Sequence, residues 1–201
     1  AVAYRAIAFN EQDVNLIPWS RATIEHQTSG KQLGPAVYRR LFELMLRLRA
    51  NTLWYGDTEW NAFTSVKGNM ELADSCDLFV GTKTHLLTHV KGKKKTIPVH
   101  FTLRDDGFGY LTSDAELVHK KQNDHGALAY HLNSAGRPHD NLWLTTIQPG
   151  LVCHELKTAY EYGIKQLWVL NVTNPKSAII QLSLAMDLAW NPNAVKRNAI
   201  D

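Results

Sequence analysis

Short apolar runs alternate with amphipathic stretches along this chain. The runs are Tyr4–Phe9 (YRAIAF), Asn51–Tyr55 (NTLWY), Leu78–Thr82 (LFVGT), Thr96–Leu103 (TIPVHFTL), Ala127–Leu132 (ALAYHL), Leu142–Thr146 (LWLTT) and Gln166–Val172 (QLWVLNV). Their near-continuous apolarity is the pattern of parallel strands covered on both faces. Between them lie stretches of helical period. Gly34-Pro35 opens AVYRRLFELMLRLRA, where Val37, Leu41, Leu44 and Leu48 share a face and Pro35 suits the first turn. NMELADSCD reads as a short helix, LVCHELKTAYEYG as a longer one closed by Gly163, and SAIIQLSLAMDLAWN as the last. Seven strands alternating with helices predict an α/β fold. No segment repeats at a fixed period.

Nearly every strand is followed by a polar cluster: NEQD (Asn10–Asp13), GDTEWN (Gly56–Asn61), TKTH (Thr82–His85), RDDG (Arg104–Gly107), HLN with GRPHD, and NVTN (Asn171–Asn174). A (β/α)8 barrel of the TIM type carries its active site on that face. A doubly wound sheet also binds ligands there, but no Gly-rich phosphate fingerprint follows any strand. The barrel is the expected architecture.

Composition narrows the function classes. The 201 residues are 44% hydrophobic and 20% charged, enough for one domain with its own core. A net charge of +3 is too weak to imply nucleic acid, and KGKKK (Lys91–Lys95) reads as a solvated turn. Cys76 and Cys153 lack partners at metal spacing and read as buried thiols rather than a disulfide or zinc site. No apolar run approaches a membrane span, and AVAYRAIAFN lacks the features of a signal peptide.

The chemistry at the strand ends is carboxylates, histidines, an arginine and aromatics. Asp105 and Asp106 follow an apolar strand directly, and only one of two adjacent side chains can face the axis. Either is a candidate acid or base, and an Asp-initiated turn closed by Gly107 also explains them. His131 ends ALAYHL, with Arg137, His139 and Asp140 close behind; an arginine fork suits a carboxylate ligand. Trp54, Trp60 and Trp143 are available to stack on a sugar face, or to pack in the core. No G-x-S-x-G, activated cysteine or H-E-x-x-H appears. The inventory suits acid/base hydrolysis of a polar, anionic substrate such as a sugar acid.

GPAVYRRLFELMLRLRANTLW, YHLNSAGRPHDNLWLTT, AYEYGIKQLWVLNV and MDLAWNP resemble glycoside hydrolases of family 115, the xylan α-1,2-glucuronidases. The likeness runs in order from Arg5 to Pro192. It implies a catalytic (β/α)8 barrel that removes (4-O-methyl)glucuronic acid from xylan with inversion, using two carboxyl groups and no metal or other cofactor. The implied partner is glucuronoxylan or another uronic-acid-bearing oligosaccharide, with no nucleic acid or membrane, in a secreted or periplasmic setting. NEQD resembles the family's acidic turn after the first strand, which makes Asn10, Glu11 and Asp13 rim residues. RDDG resembles a D-D-N stretch and points to Asp105 and Asp106. YHLNSAGRPHD resembles Y-H-L-S-Y-W-G-R-P-H-D, which gives His131, Arg137, His139 and Asp140 a grip on the uronate. Asp105 or Asp106 is then one catalytic carboxylate, and Glu11, Asp13 or Glu59 the other. Trp60, His85 and Asn171 complete the substrate-binding set.

The chain departs from the family pattern in three places. Leu86 stands where the resemblance implies a glutamate, and Asn174 where it implies an acid. After KGKKK the chain passes from the third strand to what resembles the fifth, shortening the barrel by about one β/α unit. Residues 1–201 are read as one barrel-type domain, with residues 33–90 holding the first units and 96–192 the later ones. Alternatives are a non-catalytic carbohydrate-binding relative and an incomplete module completed by an oligomer or by chain outside these residues.

Overall fold

The computed structural model describes residues 1–9, 16–24, 26, 33–55, 63–81, 85–90, 93–98, 100–112, 126–133 and 144–195, with backbone alone for 85–90, 93–98 and 100–102. The elements are β1 (Tyr4–Phe9), α1 (Ile17–Thr23), α2 (Pro35–Arg47), β2 (Thr52–Trp54), α3 (Asn69–Ser75), β3 (Phe79–Gly81), β4 (His85–Val90), β5 (Lys93–Pro98), β6 (His100–Arg104), β7 (Gly126–His131), α4 (Pro149–Glu161), β8 (Leu167–Val172) and α5 (Ile179–Trp190). They form an eight-stranded sheet in the order β5-β4-β3-β2-β1-β8-β7-β6. Six strands, β1 to β3 and β6 to β8, pair in parallel, while β4 lies antiparallel to both β3 and β5.

The α/β expectation is met, and three local expectations are corrected. Lys93–Lys95 are strand residues of β5, not a turn, and β4 was not foreseen at all. HLLTHV and KKKTIP are not apolar runs, so a search for buried strands passes over them; lysine is what an end strand of a sheet carries. TIPVHFTL is divided between β5 and β6. In LWLTT the described residues, Leu144–Thr146, are irregular, and Leu144 is exposed. The connector before Gly34 contains the short α1, begun by Pro18 near its first turn.

Alternation along the strands sorts the core into two faces. Ile7, Leu53, Val80, Leu128, Tyr130, Trp168 and Leu170 belong to the large cluster shared with the helices. Ala6, Ala8, Trp54, Ala127, Leu167 and Val169 form a smaller cluster on the opposite face. Trp54 lies across Gly81, where a Cβ would stand 2.1 Å from the indole Cε3. It is therefore a packing residue and not a sugar platform.

In α2 the buried stripe is Val37, Tyr38, Leu41, Phe42 and Met45, rotated slightly from the apolar spacing because Tyr38 and Phe42 meet Phe63. Leu44 and Leu48 are only partly buried. Gly163 closes α4 with φ of 91°, as its position implied. The amino-terminal edge is fixed by Asn51, whose Oδ1 accepts from the Arg5 backbone N–H and whose Nδ2 donates to Ala3. Arg5 in turn donates to the carbonyls of Arg49 and Val2 and stacks over Trp190.

Candidate functional site

Parallel register brings three strand ends together. His131, the last residue of β7, pairs with Asn171 on β8, and Asn171 pairs with Ala8 on β1. Laterally paired residues point to the same face, so His131, Asn171 and Ala8 form a row at the carboxyl-terminal edge. Asp105 follows the last residue of β6, and its Oδ1 lies 2.8 Å from His131 Nδ1.

The Asp105 side chain has no exposed surface, whereas that of His131 is 32% exposed. A buried carboxylate accepts, so Nδ1 carries the proton and Nε2 is left for a ligand. Asp105 Oδ2 receives a long hydrogen bond of 3.3 Å from the Gly107 N–H. The neighbouring aspartate does different work. Asp106 is exposed, and its Oδ1 accepts from the N–H groups of Phe108 (2.8 Å) and Tyr110 (3.2 Å). The two carboxylates treated as equivalent in the sequence are thus separated: Asp105 holds a histidine, and Asp106 holds a turn.

This turn is tied to the body of the protein. Tyr130 Oη donates to Gly109 O at 2.8 Å, and the Leu111 N–H donates to Glu155 Oε2 at 3.0 Å. Burial, then the charges of Asp105, Glu155 and Asp106, push the Tyr130 phenol well above its ordinary range, so it remains a neutral donor. Glu155 carries no local signal of this role, since it sits beside His154 in an ordinary amphipathic stretch, LVCHELKTA. Asn133 was seen only as part of a polar cluster. It is 3% exposed, its Oδ1 accepts from the Thr173 N–H (3.0 Å), and its Nδ2 donates to Leu144 O and Thr145 Oγ1 (both 3.1 Å). Asn133 therefore braces the loops after β7 and β8. Asn133→Ala is expected to cost about 2 kcal/mol, because it leaves buried groups unpaired; a shift in the urea midpoint at constant slope checks this.

The profile of Glycosyl hydrolase family 115 matches residues 1–96 and 88–201. The chain belongs to glycosyl hydrolase family 115. The two matched segments of this family-115 chain overlap within the β4–β5 hairpin, where the sequence departs most from the expected alternation. Among solved structures, the chain is similar to a family-115 4-O-methyl-α-glucuronidase with specificity for decorated arabinogalactans. The TM-score is 0.75 at 25% identity, over 96% of this chain and 39% of that one. The family-115 chain thus spans well under half the length of that relative. No curated protein matches it.

Of the candidate catalytic and substrate-binding residues, Asp105, Asp106, His131 and Asn171 are described with side chains. The backbone of His85 starts β4, one position beyond the Gly81–Leu86 pair and so at the same carboxyl-terminal edge. Asn10, Glu11, Asp13, Glu59, Trp60, Arg137, His139, Asp140 and Trp143 lie outside the described residues. Cys76 and Cys153 are free thiols, and only Cys153 is buried as expected; Cys76, just past the end of α3, is partly exposed. Among the described residues no group of His, Cys, Asp and Glu is arranged to hold a metal, and no helix is long and apolar enough to cross a membrane.

Proposed function

We propose that this chain is a barrel-type unit of a glycoside hydrolase that removes (4-O-methyl)glucuronic acid side chains from xylan or a similar decorated polysaccharide, by an inverting acid/base mechanism. The observation that carries the reading is the Asp105–His131 pair at the carboxyl-terminal edge, beside Asn171, in a chain of family 115. A uronide brings a carboxylate. The His131 ring, held through Nδ1 by buried Asp105, presents Nε2 toward that carboxylate, and an Nε2–H there is a charge-assisted donor when the ring is protonated. Asp105 then positions His131 rather than touching the sugar. The acid and base carboxyl groups are then sought among Asp106, Glu11, Asp13 and Glu59, one on each side of the anomeric carbon with room for a water beside the base.

Closure into a barrel is supported by topology. The end strands of the sheet order, β5 and β6, are consecutive in the chain, with only Val99 between Pro98 and His100. Two residues span about 7 Å, whereas the edges of a flat eight-stranded sheet lie about 33 Å apart. The register through Ala8 leads across β2, β3 and β4 to Ile97, and across β8 to His131. Carried on from the β6–β7 pairs on either side of the bulge, Phe101 with Ala127 and Arg104 with Ala129, the row through His131 meets the same run eight or nine positions beyond Ile97. A stagger of about eight residues is the shear of the TIM-type barrel. In this reading residues 33–90 and 96–192 are the two parts of one domain, and the β4–β5 hairpin stands in for the missing β/α unit.

A second reading, a uronide-binding relative without turnover, is favoured by one observation. Leu86, at the position where the family resemblance implies a glutamate, is paired with Gly81 and Ile97 within β4. Incubating the chain with glucuronoxylan oligosaccharides and following the released sugar separates the two. Free glucuronic acid appearing first as the β-anomer is the expected result. Binding with no release over many hours establishes the second reading.

A further inference from the structure

Phe108 and Tyr110 are 56% and 58% exposed, in the loop that follows Asp105. Lone exposed aromatics are ordinary, but two at alternate positions on a fastened loop are not. The Asp106 carboxylate binds the N–H of both residues, and the Asp106 N–H donates to Tyr110 O at 2.9 Å. Asp105 and Leu111 form an antiparallel bridge, and Thr112 returns through its N–H and hydroxyl to Arg104 O. Between the rings, Gly109 has φ of 102°, and a Cβ there would stand 2.9 Å from Ile147 Cγ2. The loop is thereby held against the protein by its backbone while its two large apolar side chains face water.

We propose that Phe108 and Tyr110 form a stacking platform for the neutral pyranose main chain that carries the uronide. The proposal rests on the reading of Asp105 and His131 as the uronide site. In that reading the main chain leaves the site over its rim, and the loop carrying Phe108 and Tyr110 belongs to that rim, since Tyr110 is bonded to the residue next to Asp105. The C–H faces of neutral pyranoses are apolar and suit the electron-rich face of an aromatic ring. A loop already rigid binds without an ordering cost.

The test is calorimetric binding of undecorated xylohexaose, a β-galactan hexasaccharide and free glucuronic acid to the 201-residue chain and to Phe108→Ala/Tyr110→Ala. Both side chains are exposed, so the double variant is expected to keep the wild-type thermal midpoint. It should bind the preferred hexasaccharide about tenfold more weakly or worse, with glucuronic acid unaffected. The hexasaccharide preferred by the wild type identifies the main chain. Gly109→Ala, which keeps both rings but displaces the loop, should also weaken hexasaccharide binding. Equal hexasaccharide affinity in wild type and double variant, or no wild-type binding of either hexasaccharide, overturns the platform. Loss of hexasaccharide binding in the variant from a chain that never binds glucuronic acid keeps the platform and removes the uronide site instead.

Discussion

Asp105→Asn should lower kcat/KM on a glucuronoxylan oligosaccharide by about 100-fold, the usual cost of losing the partner that orients a working histidine. The substitution keeps the size of the side chain and an oxygen for Gly107, but replaces the oxygen that holds the His131 Nδ1–H with an NH2 group that cannot accept it. His131→Ala should lose about as much, because it removes the group that Asp105 acts through. The double variant should then be little worse than either single one, since residues that act as a unit are not additive. Steady-state kinetics on the four proteins, with a thermal midpoint for each, checks this. Losses that simply add would mean that the two side chains work independently, and the dyad reading would be abandoned.

Gly81→Ala should destabilise the chain by about 3 kcal/mol, the upper end for forcing an extra group into a packed core. The new methyl would stand 2.1 Å from Trp54 Cε3 and 2.4 Å from Cζ3. Trp54 is only 8% exposed and is packed among Ala6, Ala8 and Val169, so the ring has nowhere to go. A smaller residue at position 54 should absorb the methyl. Trp54→Leu combined with Gly81→Ala is therefore expected to be less destabilised than the two single losses together. Chemical denaturation of the three variants measures the coupling, and strict additivity would remove Trp54 as the reason for the glycine.

What could be read in the sequence followed the strength of local patterns. Helices α2, α4 and α5 and the central strands β1, β2, β7 and β8 announce themselves through period and apolarity, and they lie where expected. The β4–β5 hairpin does not, because its apolar residues are interrupted by His85, Thr88, His89 and Lys93–Lys95 and its pairing partners are set by tertiary context. Of the polar density around the end of β7, the described residues show two arrangements: His131 meets Asp105, while Asn133 braces loops. The adjacent pair Asp105-Asp106 shows the limit most clearly. Alternation says that the two side chains diverge, but only the loop geometry shows which meets the histidine and which caps a turn. For Trp54 stacking on a sugar and packing in the core were both open, because nothing local showed that Gly81 would make room for the ring. Exposed Phe108 and Tyr110 drew no notice in a segment dominated by its charges.

The central claim is that the free face of the His131 imidazole receives the uronate while Asp105 holds the other face. Nitrogen NMR of the histidine side chains, assigned with His131→Ala and followed during titration with 4-O-methylglucuronic acid, tests this directly. Nε2 of His131 should shift in proportion to bound sugar while Nδ1 stays protonated. Binding of the sugar with both His131 nitrogens unmoved would contradict the account.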